Sequence, residues 1–234
     1  MKIRLITIPN LLTLANMMCG ILAIISTLVL DNMQAAFYLI IIAAVFDFFD
    51  GMAARALHQP SPLGTQLDSL SDVVSFGVAP AIMMIGMWQL SESLWGVPDA
   101  LGYALLAVAA FSSLRLAKFN IDDSQSTEFE GLATPANALM LGAMAVMVER
   151  GEWTLCREAL LVLAAVSCLL LVCQIRMFSF KFKGFAWKGN QVRFIFIAAA
   201  AALVGVFGIG GVAWTIVLYI ALSSVLHIVK MLKK

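Results

Sequence analysis

Residues 47–72 read DFFDGMAARALHQPSPLGTQLDSLSD, and an apolar segment stands on each side of this stretch. The stretch contains four aspartates: Asp47, Asp50, Asp68 and Asp72. The segment before it reads AAFYLIIIAAVF, and the segment after it reads VVSFGVAPAIMMIGMW. A carboxylate at the edge of an apolar segment is costly unless it is paired or bound to a metal ion. The stretch therefore indicates a functional site in a membrane-embedded chain.

The composition of the chain is that of an integral membrane protein. The 234 residues are 62% hydrophobic and 12% charged, with a mean hydropathy of +0.96. A soluble domain usually has about 25% charged residues, so we expect a single transmembrane domain over residues 1–234. The net charge of +1 and the lack of a basic tract in the sequence argue against a nucleic-acid partner.

Eight apolar segments come close to the length of about 20 residues that spans a bilayer. They lie near residues 8–30, 35–57, 69–90, 97–118, 134–149, 155–176, 192–208 and 211–230. Turn-forming residues separate them. The sequence therefore predicts an all-α integral membrane protein, a bundle of about eight transmembrane helices.

Positive charges are distributed unequally over the two sides of this arrangement. Thirteen of the fifteen Lys and Arg residues fall on the side of the termini and the aspartates, and only Arg150 and Arg157 fall on the other. The positive-inside rule assigns the side rich in Lys and Arg to the cytoplasm. We therefore expect a multi-pass protein of the cell (cytoplasmic) membrane, with both termini cytoplasmic and an active site in the cytoplasmic leaflet.

The spacing of the aspartates favours a metal site. Asp47 and Asp50 share one face of the second predicted helix, as Asp68 and Asp72 share one face of the third, and the connection HQPSPLG folds the third helix back beside the second. Four close carboxylates repel each other, and a divalent cation removes this repulsion. All-oxygen ligands favour Mg²⁺, Mn²⁺ or Ca²⁺, and four carboxylates suit two ions. Protonated aspartates, or ion pairs with Arg55, are the structural alternatives.

The spacing within residues 47–72 resembles the signature of the CDP-alcohol phosphotransferase family. The pattern is Asp-x2-Asp-Gly-x2-Ala-Arg-x8-Gly-x3-Asp-x3-Asp, and the chain matches all eight positions. The resemblance implies that Asp47, Asp50 and Asp68 hold one or two Mg²⁺ or Mn²⁺ ions, for which Ca²⁺ can substitute structurally. It implies that Asp72 lies near these metals and acts as the general base. It also implies a homodimer.

The resemblance further implies a pocket for the nucleotide and pyrophosphate of a CDP-lipid. This pocket would be lined by residues of the signature and of the first helix: Gly51, Ala54, Arg55, Gly64, Asn10 and Thr13. The first-helix residues belong to the opening IPNLLTLANMMCG. By residue pattern alone, Asn10 after Pro9 fits a helix cap, and the small residues fit close helix packing.

Further segments resemble the branch of the family that accepts serine, namely DSLSDVVSFGVAPA, LRLAKFN and FEGLATPANA. This resemblance implies transfer of a phosphatidyl group from CDP-diacylglycerol to the hydroxyl of L-serine, with release of CMP. The carboxylate of serine calls for a cation, and a guanidinium suits it best. Arg115, Lys118 and Asn120 are the candidates for this pocket, with Arg115 favoured. Contact of the two cations with lipid headgroups is the alternative.

Two other functions stay open at this point. A sibling enzyme of the same family would use glycerol 3-phosphate, inositol phosphate or choline in place of serine. A divalent-cation transporter would also place aspartates within a membrane. Transporters tend to bind their ions near the midplane between inverted repeats, whereas here the aspartates cluster near one face and no repeat is visible.

Overall fold

A computed structural model of the chain describes residues 5–121, 129–178 and 190–232. The helices in these ranges are α1 (Ile8–Leu28), α2 (Met33–Ala56), α3 (Pro62–Asp72), α4 (Ala79–Leu90), α5 (Ala107–Ile121), α6 (Thr134–Glu149), α7 (Arg157–Val172), α8 (Gln191–Phe207) and α9 (Ile209–Leu232). A π-helical segment, Val73–Val78, joins α3 to α4, and a 3-10 segment, Asp99–Leu106, leads into α5. The predicted all-α architecture is confirmed.

Each predicted span corresponds to one continuous helical segment of the structure. Five of these segments are long and apolar enough to cross a membrane: Ile8–Leu28, Met33–Ala56, Pro62–Leu90, Asp99–Ile121 and Ile209–Leu232. Two further apolar helices, α6 and α8, are shorter. The chain is thus built as a multi-pass membrane protein, and the count of about eight spans stays a prediction.

The third helical segment begins seven residues before the predicted start at residue 69, since α3 begins at Pro62. The Ser61 hydroxyl accepts a hydrogen bond from the backbone N–H of Gly64, at 3.0 Å. Serine at the N-cap followed by proline in the first turn is a strong helix start. The predicted connection HQPSPLG is therefore partly helical, and the turn between α2 and α3 is shorter than expected.

One short antiparallel strand pair was not predicted. Strand β1 (Phe129–Glu130) pairs with β2 (Arg176–Met177), and Glu130 lies opposite Arg176. The pair joins the segment before α6 to the segment after α7. It therefore ties these two helices together at one end of the bundle.

The buried core of the bundle lies mainly among α1, α2, α4 and α6. Its largest fully buried side chains include Phe37, Ile40, Met83, Met84 and Leu141. Many large apolar side chains on the outside are exposed, for example Ile42 and Val45 on α2. An apolar core inside an apolar exterior suits a lipid environment, because the exterior then faces hydrocarbon instead of water.

The two ends of α2 mark opposite ends of the bundle. At its start, the Glu149 carboxylate of α6 accepts hydrogen bonds from the backbone N–H groups of Met33, at 2.6 Å, and Gln34, at 3.0 Å. Asp47 and Asp50 lie in the last turns of the same helix. The aspartates are therefore at the end of the bundle away from the connection between α6 and α7.

Candidate active site

Three of the four predicted aspartates come together between α2 and α3. Asp47, Asp50 and Asp68 each offer one carboxylate oxygen, and these three oxygens all lie within 4.8 Å of one another. Asp50 is buried, whereas Asp47 and Asp68 are half-buried. The helical spacing of the first two and the turn between the helices produce this arrangement, as the sequence predicts.

The three-aspartate cluster fits a divalent cation. Two oxygens on opposite sides of one ion are about 4.2 Å apart for Mg²⁺ and up to about 5.2 Å apart for Ca²⁺, so a spacing within 4.8 Å needs little adjustment. Among the described residues, the buried Asp68 Oδ1 has no hydrogen-bond partner. An orphaned carboxylate oxygen beside two other carboxylates is a ready metal ligand.

Asp72 lies outside the three-aspartate cluster. It is the last residue of α3, and the π-helical segment begins at the next residue. Its side chain is 7% exposed. Single π-helical turns occur frequently at functional sites, because they widen the helix and redirect side chains. The roles predicted for Asp72, as general base and as metal ligand, stay predictions.

Helix α1 supplies the hydrogen-bond donors for the two buried carboxylates. The Thr13 hydroxyl donates to Asp50 Oδ2 at 2.6 Å, and the Asn16 amide donates to Asp72 Oδ1 at 3.1 Å. This contact shows that Thr13 supports an aspartate, and its predicted role of facing CDP stays a prediction. Asn16 was not predicted. Its only sequence signal is its position three residues after Thr13, on the same face of α1.

The other residues predicted for the CDP-lipid pocket lie at the same end of the bundle. A Cβ atom placed on Gly64 would lie 3.5 Å from Asn10 Oδ1, so the starts of α1 and α3 are close together. Asn10 itself is buried, and its side-chain amide donates to the backbone carbonyl of Leu5 at 2.9 Å. The alternative reading of Asn10 as the helix cap is wrong, because the N-cap of α1 is Thr7.

Gly51, Ala54 and Arg55 follow Asp50 along α2. Apart from the backbone of its own helix, a Cβ atom on Gly51 would have one neighbour within 4 Å among the described residues, Arg55 Nη1 at 3.6 Å. Ala54 is half-buried and Arg55 is exposed. This face of α2 is therefore open beside the aspartates, as a bulky ligand requires. The structural alternative of ion pairs between Arg55 and the aspartates is not realised among the described ion pairs.

Arg115 is a buried cation near the aspartate end of the bundle. Its side chain lies on α5 and is 9% exposed, and the carboxyl group of Asp72 is near enough for its charge to act on the guanidinium. Within the described ranges its Nε has no hydrogen-bond partner and its guanidinium forms no ion pair. Burial of a charge is costly unless the charge is paired, so this guanidinium is suited to receive an anionic ligand.

The two other residues predicted with Arg115 are more exposed and have partners. Lys118 Nζ lies 3.1 Å from Glu130 Oε2, and the Asn120 amide donates to the Ser69 hydroxyl at 2.7 Å. Arg115, Lys118 and Glu130 line one small pocket. The end of α5 therefore meets α3 one residue after Asp68, which brings all three predicted serine-binding residues to the aspartate end of the bundle.

Fold and site together define a multi-pass membrane protein with an acidic centre between two helices, whose three aspartates could hold a metal ion. Residues 6–176 match the family model described as CDP-alcohol phosphatidyltransferase. This match covers well over half of the 234 residues and contains all the residues predicted for the site. The chain therefore belongs to the CDP-alcohol phosphatidyltransferase family, and the family prediction is confirmed.

The chain is similar to several curated members of this family. The chain is 39% identical over 134 residues to the CDP-diacylglycerol–serine O-phosphatidyltransferase of Bacillus subtilis, across 57% of this chain and 72% of the relative. It is 36% identical over 138 residues to the enzyme of that name from Methanocaldococcus jannaschii, across 59% of this chain and 60% of the relative. It is 31% identical over 168 residues to the archaetidylserine synthase of Methanothermobacter thermautotrophicus, across 71% of this chain and 67% of the relative. The second of these alignments spans less than two thirds of the relative's length.

Proposed function

We propose that this protein transfers a phosphatidyl group from CDP-diacylglycerol to the hydroxyl of L-serine, giving phosphatidylserine and CMP. The observation that carries the choice of serine is Arg115, a buried guanidinium without an ion-pair partner in the described ranges, at the aspartate end of the bundle. A free amino acid brings the carboxylate that such a guanidinium binds in a bidentate manner. The names of the relatives from Bacillus subtilis and Methanocaldococcus jannaschii agree with this choice.

In the proposed reaction Asp72 is the general base that accepts the proton of the serine hydroxyl. A serine hydroxyl is a poor nucleophile at neutral pH, so a carboxylate within reach must accept its proton as the oxygen attacks. In the proposed step a bond forms between the serine oxygen and the β-phosphorus of the CDP-lipid. The bond from that phosphorus to the CMP oxygen breaks, and CMP leaves. The Asn16 contact occupies Asp72 Oδ1, which leaves the second oxygen of that carboxylate for the hydroxyl.

The proposal assigns Asp47, Asp50 and Asp68 to one or two Mg²⁺ or Mn²⁺ ions, with Asp72 as a neighbouring ligand. A divalent cation bound there would neutralise the pyrophosphate and stabilise the departing CMP. The chain's part is to hold the acidic side chains in place, which the Thr13 hydroxyl does for Asp50. The face of α2 that carries Gly51, Ala54 and Arg55, together with Asn10 and Gly64, would bind the nucleotide and pyrophosphate.

The proposal includes a topology in the cell membrane, with the active site and both termini on the cytoplasmic side. Arg150 and Arg157, the two cations predicted for the outer side, lie at the end of α6 and the start of α7, at the bundle end away from the aspartates. Seven of the thirteen cations on the inner side lie outside the described residues: Lys2, Arg4, Lys181, Lys183, Lys188, Lys233 and Lys234. A reporter that is active only in the cytoplasm, fused to the C-terminus, tests this orientation.

The proposal also includes a homodimer. Light scattering of the purified protein tests this oligomeric state.

The deciding experiment is CMP release by the purified protein in detergent. CDP-diacylglycerol and Mn²⁺ or Mg²⁺ would be supplied with serine, glycerol 3-phosphate, inositol phosphate or choline in separate reactions, and Asp72→Asn would be the inactive control. We expect release that needs both serine and metal and is lost in Asp72→Asn.

Each other outcome has a clear meaning for the proposal. Release with a different alcohol keeps the family chemistry and overturns serine as the acceptor. Absence of release with every alcohol, from folded wild-type protein, overturns the proposed reaction. Uptake of Mn²⁺ by proteoliposomes without any CDP-lipid would then support the cation transporter instead.

A further inference from the structure

Asn16 connects α1 to the residue that the proposed function makes the general base. Its side chain is completely buried, and its amide nitrogen donates to Asp72 Oδ1 at 3.1 Å. We propose that Asn16 is a positioning residue for Asp72, one that aims the second carboxylate oxygen at the hydroxyl of the acceptor alcohol. This inference rests on the proposed function, in which Asp72 accepts the proton of that hydroxyl.

The main chain of Asn16 also forms a hydrogen bond, with a residue three positions after Asp72. The Ser75 hydroxyl, in the π-helical segment, donates to the backbone carbonyl of Asn16 at 2.9 Å. Asp72 and Ser75 stand on either side of the point where α3 changes into that segment. Asn16 therefore joins α1 to the end of α3 through Asp72 and to the π-helical segment through Ser75, and the two bonds together fix its amide relative to the Asp72 carboxylate.

A glycine on α1 makes this close approach possible. A Cβ atom on Gly20, one turn after Asn16, would lie 2.7 Å from Ser75 Cα and 2.9 Å from Ser75 N. No ordinary side chain fits at such distances from a backbone. The absent side chain at Gly20 thus lets α1 touch the π-helical segment, and that contact brings the Asn16 amide within hydrogen-bond distance of Asp72.

The buried amide of Asn16 lowers the stability of the folded state. In the described part of the chain, the buried Asn16 Oδ1 has no hydrogen-bond partner, and an unsatisfied buried polar atom costs about 1–3 kcal/mol. An apolar residue of similar size would pack against α3 without that cost. The donor to Asp72 is the one contact of this side chain that an apolar residue could not supply, which favours a role in orienting the carboxylate.

The test compares two Asn16 variants with a matched control in the same helix. Asn16→Ala removes the side chain, and Asn16→Asp keeps its shape but replaces the amide donor by an acceptor. Thr27→Ala is the control, because Thr27 is also buried on α1 and its hydroxyl bonds only the carbonyl of Ala23 in its own helix. The purified full-length proteins would be assayed for CMP release with serine, and kcat and both KM values would be measured.

A misplaced base slows the chemical step and leaves ground-state binding of the lipid intact. Displacement of a reacting group by about 1 Å can cost on the order of 100-fold in rate, so we expect both Asn16 variants to lose about 10- to 100-fold in kcat. The KM for CDP-diacylglycerol should stay within about twofold of wild type, because Asn16 acts on the general base and not on the binding of the CDP-lipid. Thr27→Ala should keep the wild-type kcat.

The outcomes separate this inference from the proposed function. If wild-type protein releases CMP with serine but Asn16→Asp keeps the wild-type kcat, the positioning role is overturned and the proposed function stands. A rise of KM with unchanged kcat in both variants also overturns it, because such a change marks a binding residue. If wild-type protein releases no CMP, the proposed function itself fails. Should Asn16→Ala not fold, the isosteric Asn16→Asp decides alone.

Discussion

The Thr13 hydroxyl donates a hydrogen bond of 2.6 Å to Asp50 Oδ2, across 37 residues of sequence. Both side chains are buried. Asp50 is also one of three aspartates whose oxygens lie within 4.8 Å of one another. Helix α1 therefore orients a carboxylate of the acidic cluster from outside the stretch that carries the family signature.

Loss of the Thr13 hydroxyl should weaken metal binding. Thr13→Val is nearly isosteric and leaves Asp50 without this donor, and loss of a group that orients a metal ligand typically costs about 10- to 100-fold in metal affinity or activity. We expect the Mn²⁺ concentration for half-maximal CMP release to rise by about tenfold. Thr13→Ser keeps the hydroxyl and should stay close to wild type. If Thr13→Val and Thr13→Ser need the same Mn²⁺ concentration for half-maximal CMP release, the orienting role is contradicted.

Removal of single carboxylates should abolish stabilisation by metal. A ligand at about 100 times its Kd stabilises a protein by about 2.7 kcal/mol, which corresponds to a rise in Tm of about 5–10 °C for a chain of this size. We expect wild type to show this rise with Mn²⁺, and Asp47→Asn, Asp50→Asn and Asp68→Asn to lack it. Without metal, each variant should melt at or above the wild-type Tm, because one of three repelling charges is gone.

The control for this series is Asp31→Asn, at an exposed position between α1 and α2. It should keep the full metal-dependent rise in Tm. A rise that persists in all three cluster variants would place the metal elsewhere.

The helices and the acidic cluster could be predicted because their signals are local. Apolar runs broken by turn residues give the helical segments, and the spacings of Asp47 to Asp50 and of Asp50 to Asp68 lie within one helical hairpin. Even the start of α3 had a local signal, Ser61 before Pro62, which the count of apolar residues did not use.

The contacts that complete the site could not be predicted, since they join residues far apart in sequence. Asn16 and Asp72 are separated by 56 positions. Asn120 on α5 bonds Ser69 across 51 positions, and the Tyr219 hydroxyl on α9 bonds the Phe178 carbonyl across 41. The periodicity of one helix tells which face is buried but not which helix packs against it. The relative placement of α1, α5 and α9 comes only from the packed structure.

Gly→Ala changes should have opposite effects at Gly20, which contacts the π-helical segment, and at Gly205, which does not. Gly20→Ala would drive its Cβ into the backbone of Ser75, with Cα at 2.7 Å, and overpacking of this kind costs about 1–3 kcal/mol. The helices must separate, so kcat should fall as well. Gly205 lies inside α8, and no atom of the described residues lies within 4 Å of its Cβ position, so Gly205→Ala should stabilise by up to about 1 kcal/mol. Thermal unfolding measures the stability of each variant, and CMP release measures its kcat. A Gly20→Ala protein as stable as wild type would refute the close contact.

Arg115 and Lys118 should differ strongly in their effect on serine. Arg115→Ala removes a buried guanidinium, and hydrogen bonds to charged groups contribute about 1.5–3 kcal/mol each, so the KM for serine should rise by about 10- to 100-fold. Lys118 pairs with Glu130 at a half-exposed position, and such pairs contribute at most about 1 kcal/mol, so Lys118→Ala should raise that KM by no more than about fivefold. The KM for CDP-diacylglycerol should stay unchanged in both. Equal increases for serine and the CDP-lipid in Arg115→Ala would contradict the serine role.

Glu149 should affect stability without affecting the reaction. Its carboxylate accepts from the backbone N–H groups of Met33 and Gln34 at the start of α2, at the end of the bundle away from the aspartates. Glu149→Ala leaves both donors unpaired, and loss of a helix cap costs about 0.5–2 kcal/mol, so Tm should fall by about 1–8 °C. Glu152→Ala is the matched control, because Glu152 forms only an exposed pair with Arg150, at 3.7 Å, and such pairs contribute little. A loss of kcat in Glu149→Ala at a temperature where the protein stays folded, or equal Tm values for the two variants, would contradict a purely structural role for this contact.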